Sequence, residues 1–191
     1  LQNHDLAEIP DSTDKVQGID AGRHAAAAIL ALRSNDGSQH DEPRMGVDFT
    51  PSNKPGKWRE DPVSHLQVAL GAHWSEVKPF VLKSSQQFRV VPPPQMISQK
   101  YVDAYYEVFS LGGDGTTTRT SRTDDQTLAA VYWAYDGTPS LCAPPRLYNQ
   151  ITLRIASQMG SNMIETARLL ALVNVAMADA GIAIWESKFY Y

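Results

Sequence analysis

The chain has 191 residues, 42% of them hydrophobic and 20% charged, a size and balance that suit one domain with a substantial core. A net charge of -4 with no basic stripe excludes a nucleic-acid binder driven by phosphate neutralisation. The single cysteine, Cys142, excludes an internal disulfide and a cysteine-rich zinc site, and no apolar run approaches the roughly 20 residues that cross a bilayer.

Residues 1–19 are polar and mixed and read as an arm on the surface. Asp20 is placed to cap a helix through Ala21–Leu32, which Asn35-Asp36-Gly37 ends. Its alanine cluster makes one side slim enough for another helix to approach. Residues 38–97 hold eight of the twelve prolines and show no sustained period of 3.6 or 2. This stretch is long for a structureless loop, so it reads as an ordered wrapping segment anchored by Trp58, Trp74, Phe80 and Phe88.

From residue 98 the helical signals are strong. Ser98 caps a helix with the stripe Tyr101, Val102, Tyr105, Val108 and Phe109, closed by Gly112-Gly113. Thr123 and Gln126 have capping-box spacing, with Asp124 and Asp125 in the positive first turn; that helix carries Leu128, Val131, Tyr132 and Tyr135 and ends near Asp136-Gly137. Pro144 and Pro145 open a helix with the stripe Tyr148, Ile151, Ile155 and Met159, stopped by Gly160. Asn162 and Glu165 form a second box before the last helix, which runs through Leu169, Leu172, Ala176 and Trp185. The pattern is all-α, with residues 1–97 forming an arm, one helix and the irregular proline-rich segment, and residues 98–191 forming half of a helical bundle with antiparallel neighbours.

The apolar pattern is still running at Tyr191, with no Gly, Asn or Pro to close the helix. The expectation is a longer protein, or one chain of a two-chain assembly, in which residues 177–191 pack against other polypeptide. The first residue is Leu1 rather than Met, and no signal peptide is visible, which leaves the compartment open.

The motifs are sparse: no HExxH, P-loop or GxSxG is present. The histidines His4, His24, His40, His65 and His73 are scattered, and Cys142 reads as a small packing residue. Gly112-Gly113-Asp114-Gly115 follows a helix rather than a strand and reads as a plain loop. Lys188 lies three residues after Trp185, so both share a helix face with Gly181, Ala178 and Asn174. A lysine beside an aromatic wall is an oxyanion holder; the same residue is also an ordinary lysine favoured by a helix C-terminus and snorkelling into solvent. Asp136 likewise does no more than stop a helix on spacing alone.

Three blocks carry a resemblance. They are Asp125-Gln126-Thr127 with Tyr132-Trp133-Ala134-Tyr135-Asp136-Gly137, then Pro144-Pro145-Arg146-Leu147-Tyr148-Asn149-Gln150-Ile151, then Ala167–Leu172 through Ala178–Gly181 to Trp185 and Lys188. Over residues 98–191, and more loosely over 20–37, the chain resembles the N-terminal half of the vanadium-dependent haloperoxidases, the fungal chloroperoxidases and their bacterial relatives in particular. The family's first vanadate motif is a lysine, six residues and Arg-Pro; Lys188 stands at the lysine, and the chain breaks off at Tyr191 inside that motif.

The resemblance implies a vanadate cofactor and a peroxidase that oxidises halide with hydrogen peroxide to hypohalous acid. It implies that Lys188 hydrogen-bonds the vanadate and polarises bound peroxide, that Trp185 lines the apolar side of the pocket, and that Asp136 pairs with an active-site arginine. The Ser-Gly-His motif and the vanadium-ligating histidine lie outside these residues, so no residue of this chain ligates the metal directly. The partner it implies is the C-terminal half, as a continuation or a separate chain, without which the chain is inactive. No nucleic-acid or membrane partner is implied, and a homo-oligomer stays open. An acid phosphatase on the same scaffold is the alternative, because phosphate and vanadate share a shape; a non-catalytic helical module that binds its other half is another.

Overall fold

The structure is a computed structural model that describes residues 6–63, 65–134 and 143–191. Its architecture is all-α. Among the described residues there are five helices and no strand: α1 (Thr13–Arg33), α2 (Gln99–Leu111), α3 (Asp124–Trp133), α4 (Pro144–Gln158) and α5 (Met163–Tyr190). A single 3-10 turn, Trp74–Glu76, and two isolated bridges, Arg44 with Val68 and Met45 with Phe49, punctuate the segment between α1 and α2.

The caps follow the sequence closely in the second half. Ser98 accepts the N–H of Tyr101, Thr123 and Gln126 form a reciprocal capping box, and so do Asn162 and Glu165. Pro144 and Pro145 occupy the first turn of α4, where a missing N–H costs nothing. The end of α3 expected at Asp136-Gly137 lies outside the described residues, as do Cys142 and Asp136 themselves.

The start of α1 differs from expectation. Ser12, not Asp20, is the cap, its hydroxyl accepting the Lys15 N–H at 3.1 Å, and residues 13–19 are helical rather than an arm. Lys15 in turn reaches Asp11 and the Ile9 carbonyl, both at 2.7 Å, which fixes the entry to the helix. No residue of α1 is buried, so the polar composition of its first turns carries no contradiction with helix.

The helix pair α4–α5 forms the main helix packing. The turn at residues 159–162 joins them, and Asn149 and Asn174 exchange side-chain hydrogen bonds at 3.2 and 2.7 Å; similar separations from the turn on either side make the pair antiparallel. The face of α4 that meets α5 is not the apolar stripe. Thr152 and Ala156 are 7% and 1% exposed, while Ile151 and Ile155 are 40% and 44% exposed. Small side chains at i and i+4 let two backbones come close, and that requirement outweighs hydrophobicity here.

Residues 38–97 wrap one side of α5, as expected of an ordered irregular segment. Ala69 and Val77 of this segment and Ile182 of α5 are buried, and the 3-10 turn Trp74–Glu76 packs against α5. Trp58 is half-buried in an aromatic cluster and Trp74 is half-buried beside His40, whereas Phe80 and Phe88 are exposed. Phe80 still carries the Arg33 guanidinium on its ring at 3.9 Å, and Arg33 also donates to the carbonyls of Lys78 and Pro79. Phe88 is therefore not an anchor; polar bonds to α5 hold this part of the segment, as described below.

At 28 residues, α5 is long and apolar enough to cross a membrane by length and composition, which a search for unbroken apolar runs passes over. One such helix is weak evidence, and Asp179 and Glu186 on it are bonded to this chain's own wrapping segment.

Candidate anion site at the end of the last helix

Four side chains in the second half of α5 grip the wrapping segment. Asp179, 5% exposed, accepts the backbone N–H groups of Phe80, Val81 and Leu82 at 2.6, 2.8 and 3.0 Å. Burial pushes its carboxyl up, but the N–H groups of Phe80, Leu82 and Val81 outweigh burial and hold it below the usual carboxylate range. Two turns on, Glu186, 6% exposed, takes a forked contact from Arg89, whose guanidinium also covers the Tyr190 ring at 3.5 Å. The hydrogen bonds that Arg89 donates to Glu186 raise the Arg89 pKa against the effect of burial, and the Glu186 charge adds to them. The Trp185 indole N–H donates to the Leu70 carbonyl at 3.3 Å. Phe189 packs on Phe49 and Trp58 at ring distances of 5.7 and 5.3 Å.

Between these anchors stands Lys188. Its side chain is exposed, and its ammonium lies 5.1 Å from the centre of the Trp185 ring and 5.3 Å from that of Phe189. Both distances are inside the roughly 6 Å reach of a cation–π attraction. Among the described residues no carboxylate pairs with it. The carboxylates on its own helix that lie nearest in sequence, Asp179 and Glu186, are spent on backbone N–H groups and on Arg89. The result is a positive point charge on an aromatic floor, open on its outer side and near a helix C-terminus that favours a cation.

Sequence reasoning placed Lys188 and Trp185 on one face, and the structure brings them together. It did not foresee the floor under them. Phe49, Trp58, the Leu70–Gly71 turn and Glu42 come from the segment that shows no periodicity, so only the fold reveals that the first three meet α5 and that Glu42 holds the turn. Within residues 177–191, the face carrying Asp179, Ile182 and Glu186 is covered by residues of this chain, while Ala180, Ile184 and Lys188 stay exposed.

An open apolar groove of about 550 Å³ runs between Leu82, Phe88 and Val90 on one side and Leu172, Ala176 and Ala183 on the other. The buried hydroxyl of Ser187 lines it and has no hydrogen-bond partner among the described residues. No group of three or more His, Cys, Asp or Glu side chains with metal-holding geometry stands among the described residues. One unpaired ammonium fits a single oxygen of a tetrahedral oxyanion; it does not by itself enclose one.

Comparison with known proteins agrees with the α-helical reading. No family model matches the chain. The vanadium chloroperoxidase of Curvularia inaequalis is 35% identical over 133 residues, which cover 59% of this chain and 22% of that protein. The crystal structure of a bacterial vanadium-dependent iodoperoxidase superposes with a TM-score of 0.69 at 25% identity, covering 88% of this chain and 41% of that one. The chain is similar to these two vanadium-dependent haloperoxidases over a span that is less than half the length of either protein.

Proposed function

We propose that the chain supplies one wall of the vanadate site of a haloperoxidase that oxidises halide with hydrogen peroxide to hypohalous acid. In this reading the remaining walls come from further polypeptide, as a continuation or a separate chain, and no activity is expected without it. The reading is carried by one observation. In a chain similar to these enzymes, the Lys188 ammonium is free of carboxylates among the described residues and rests on the Trp185 and Phe189 rings.

Lys188 would hold one vanadate oxygen by a charge-assisted hydrogen bond. Trp185 would keep water from that side, which strengthens the charge interaction by lowering the local dielectric. Asp136, outside the described residues, would fix an arginine of the completing polypeptide, and that arginine would add forked donors. When bound, vanadate supplies a Lewis-acid centre at which peroxide becomes electrophilic towards halide. The exposed apolar side of α5 and the groove beside it would be covered by protein rather than lipid, since Asp179 and Glu186 already hold this helix to protein.

The test is bromide- and peroxide-dependent bromination of monochlorodimedone by the completed protein, with and without vanadate. Turnover that requires vanadate supports the proposal. Phosphate release from a simple ester with no bromination would replace it by an acid phosphatase. Neither activity, with the other half bound, would leave a helical binding module.

A further inference from the structure

We propose that the Leu70–Gly71 turn, pinned by Glu42, is the seat that sets the Trp185 indole and through it the Lys188 ammonium, making Gly71 and Glu42 positioning residues of the anion site. This rests on the reading of Lys188 as the anion's partner.

The seat is a close approach of a rigid ring to backbone. A Cβ added at Gly71 would lie 1.9 Å from Nε1 and 2.1 Å from Cδ1 of Trp185, where real Cβ atoms essentially never come nearer than 3.0 Å. The obstacle is a bicyclic ring, not the free end of a flexible chain, so relief requires the whole indole to move. Gly71 also has φ +77°, a left-handed conformation that favours glycine.

The turn is fixed from behind. The Gly71 N–H donates to Glu42 Oε2 at 2.6 Å, and two residues earlier the Ala69 N–H donates to the Pro43 carbonyl at 2.8 Å. The indole N–H completes the lock on the Leu70 carbonyl. Lys188 sits less than one helical turn beyond Trp185, with its ammonium over that ring, so a displaced indole moves the surface on which the charge rests.

Gly46 provides the control. It has φ +75°, close to the φ of Gly71, but a Cβ there meets nothing within 4 Å. Gly46→Ala therefore carries the backbone strain without the clash.

The experiment uses the completed protein labelled with 15N-indole tryptophan. The readouts are the Trp185 Nε1–H resonance before vanadate is added, and orthovanadate affinity by equilibrium dialysis. Gly71→Ala is expected to shift the resonance and weaken vanadate binding by about 10–100-fold, the range for residues that orient a ligand-holding group. Gly46→Ala keeps both at parent values. Glu42→Ala moves both readouts in the direction of Gly71→Ala, while Glu42→Gln, whose amide oxygen still accepts the Gly71 N–H, restores them. In a Trp185→Ala background, Gly71→Ala adds no further loss.

Equal losses in Gly71→Ala and Gly46→Ala, or an unmoved indole resonance in Gly71→Ala, would overturn the proposal. If Gly71→Ala fails to fold, the Glu42 pair decides: equal behaviour of Ala and Gln overturns it. A parent protein that takes up no vanadate sinks the proposed function instead, and the seat is then judged on the indole resonance alone.

Discussion

Replacing Lys188 by alanine in the completed protein removes the ammonium without disturbing a buried contact, because the side chain is exposed and only its charge touches Trp185 and Phe189. Loss of a single donor to a developing oxyanion costs about 10²–10³ in turnover, and that is the expected fall, with weaker vanadate binding and an unchanged urea midpoint. A turnover at saturating vanadate equal to the parent would remove Lys188 from the site. Lys188→Arg is expected to recover only part of the loss, since a planar fork placed over two rings does not reproduce a compact charge.

The element that most needs its polar bonds is the stretch at residues 80–82, which Asp179 holds by three N–H groups. A carboxyl whose folded pKa lies below its ordinary value adds stability that is fully present above the ordinary value. That stability is lost as the pH falls through the folded one. The amides of Phe80, Val81 and Leu82 should therefore lose hydrogen-exchange protection as pH drops below about 4, and Asp179→Asn should flatten that dependence. Asp179→Ala leaves the three N–H groups without an acceptor and should cost about 1–3 kcal/mol in urea unfolding.

Helix α4 gives a second comparison. Ala156→Leu overfills the contact with α5 and should cost about 1–3 kcal/mol, whereas Ile155→Ala on the exposed side should stay within about 0.5 kcal/mol in this chain. These two positions also mark how far the sequence could be read. Caps were legible because Ser98, Thr123 and Asn162 act on N–H groups three residues away. The packing face of α4 was not, because periodicity marks the widest apolar stripe and cannot tell which side a partner takes. The wrapping segment was legible only as ordered and irregular: its bonds to α5 span about a hundred positions, from Phe80 to Asp179 and from Arg89 to Glu186, and no local pattern encodes them. Lys188 and Trp185 stood out through spacing and resemblance, whereas Gly71 and Glu42 carried no signal of their own.

Across the whole molecule, the apolar surface left open is large. Tyr105, Val108 and Phe109 of α2, Leu128, Val131 and Trp133 of α3, and the stripe of α4 are all exposed. Isolated proteins seldom leave such faces bare. The 191-residue chain alone should bind the dye ANS strongly, and addition of the completing polypeptide should displace most of it. Amide exchange should be fast in α2 and α3 of the chain alone and slow around Ile182, where the segment and α5 meet; uniform protection across all of these would contradict this account of where stability lies.

The wrapping segment touches α5 through separate fastenings: Phe49 and Trp58 on Phe189, the Leu70–Gly71 turn on Trp185, residues 80–82 on Asp179, and Arg89 on Glu186. Arg59, Glu60 and Val63 lie between two of these, in irregular backbone. A protease that severs the peptide bond after Arg59 would therefore yield two pieces that still migrate as one body, each side of the cut clasped to the same helix by its own contacts.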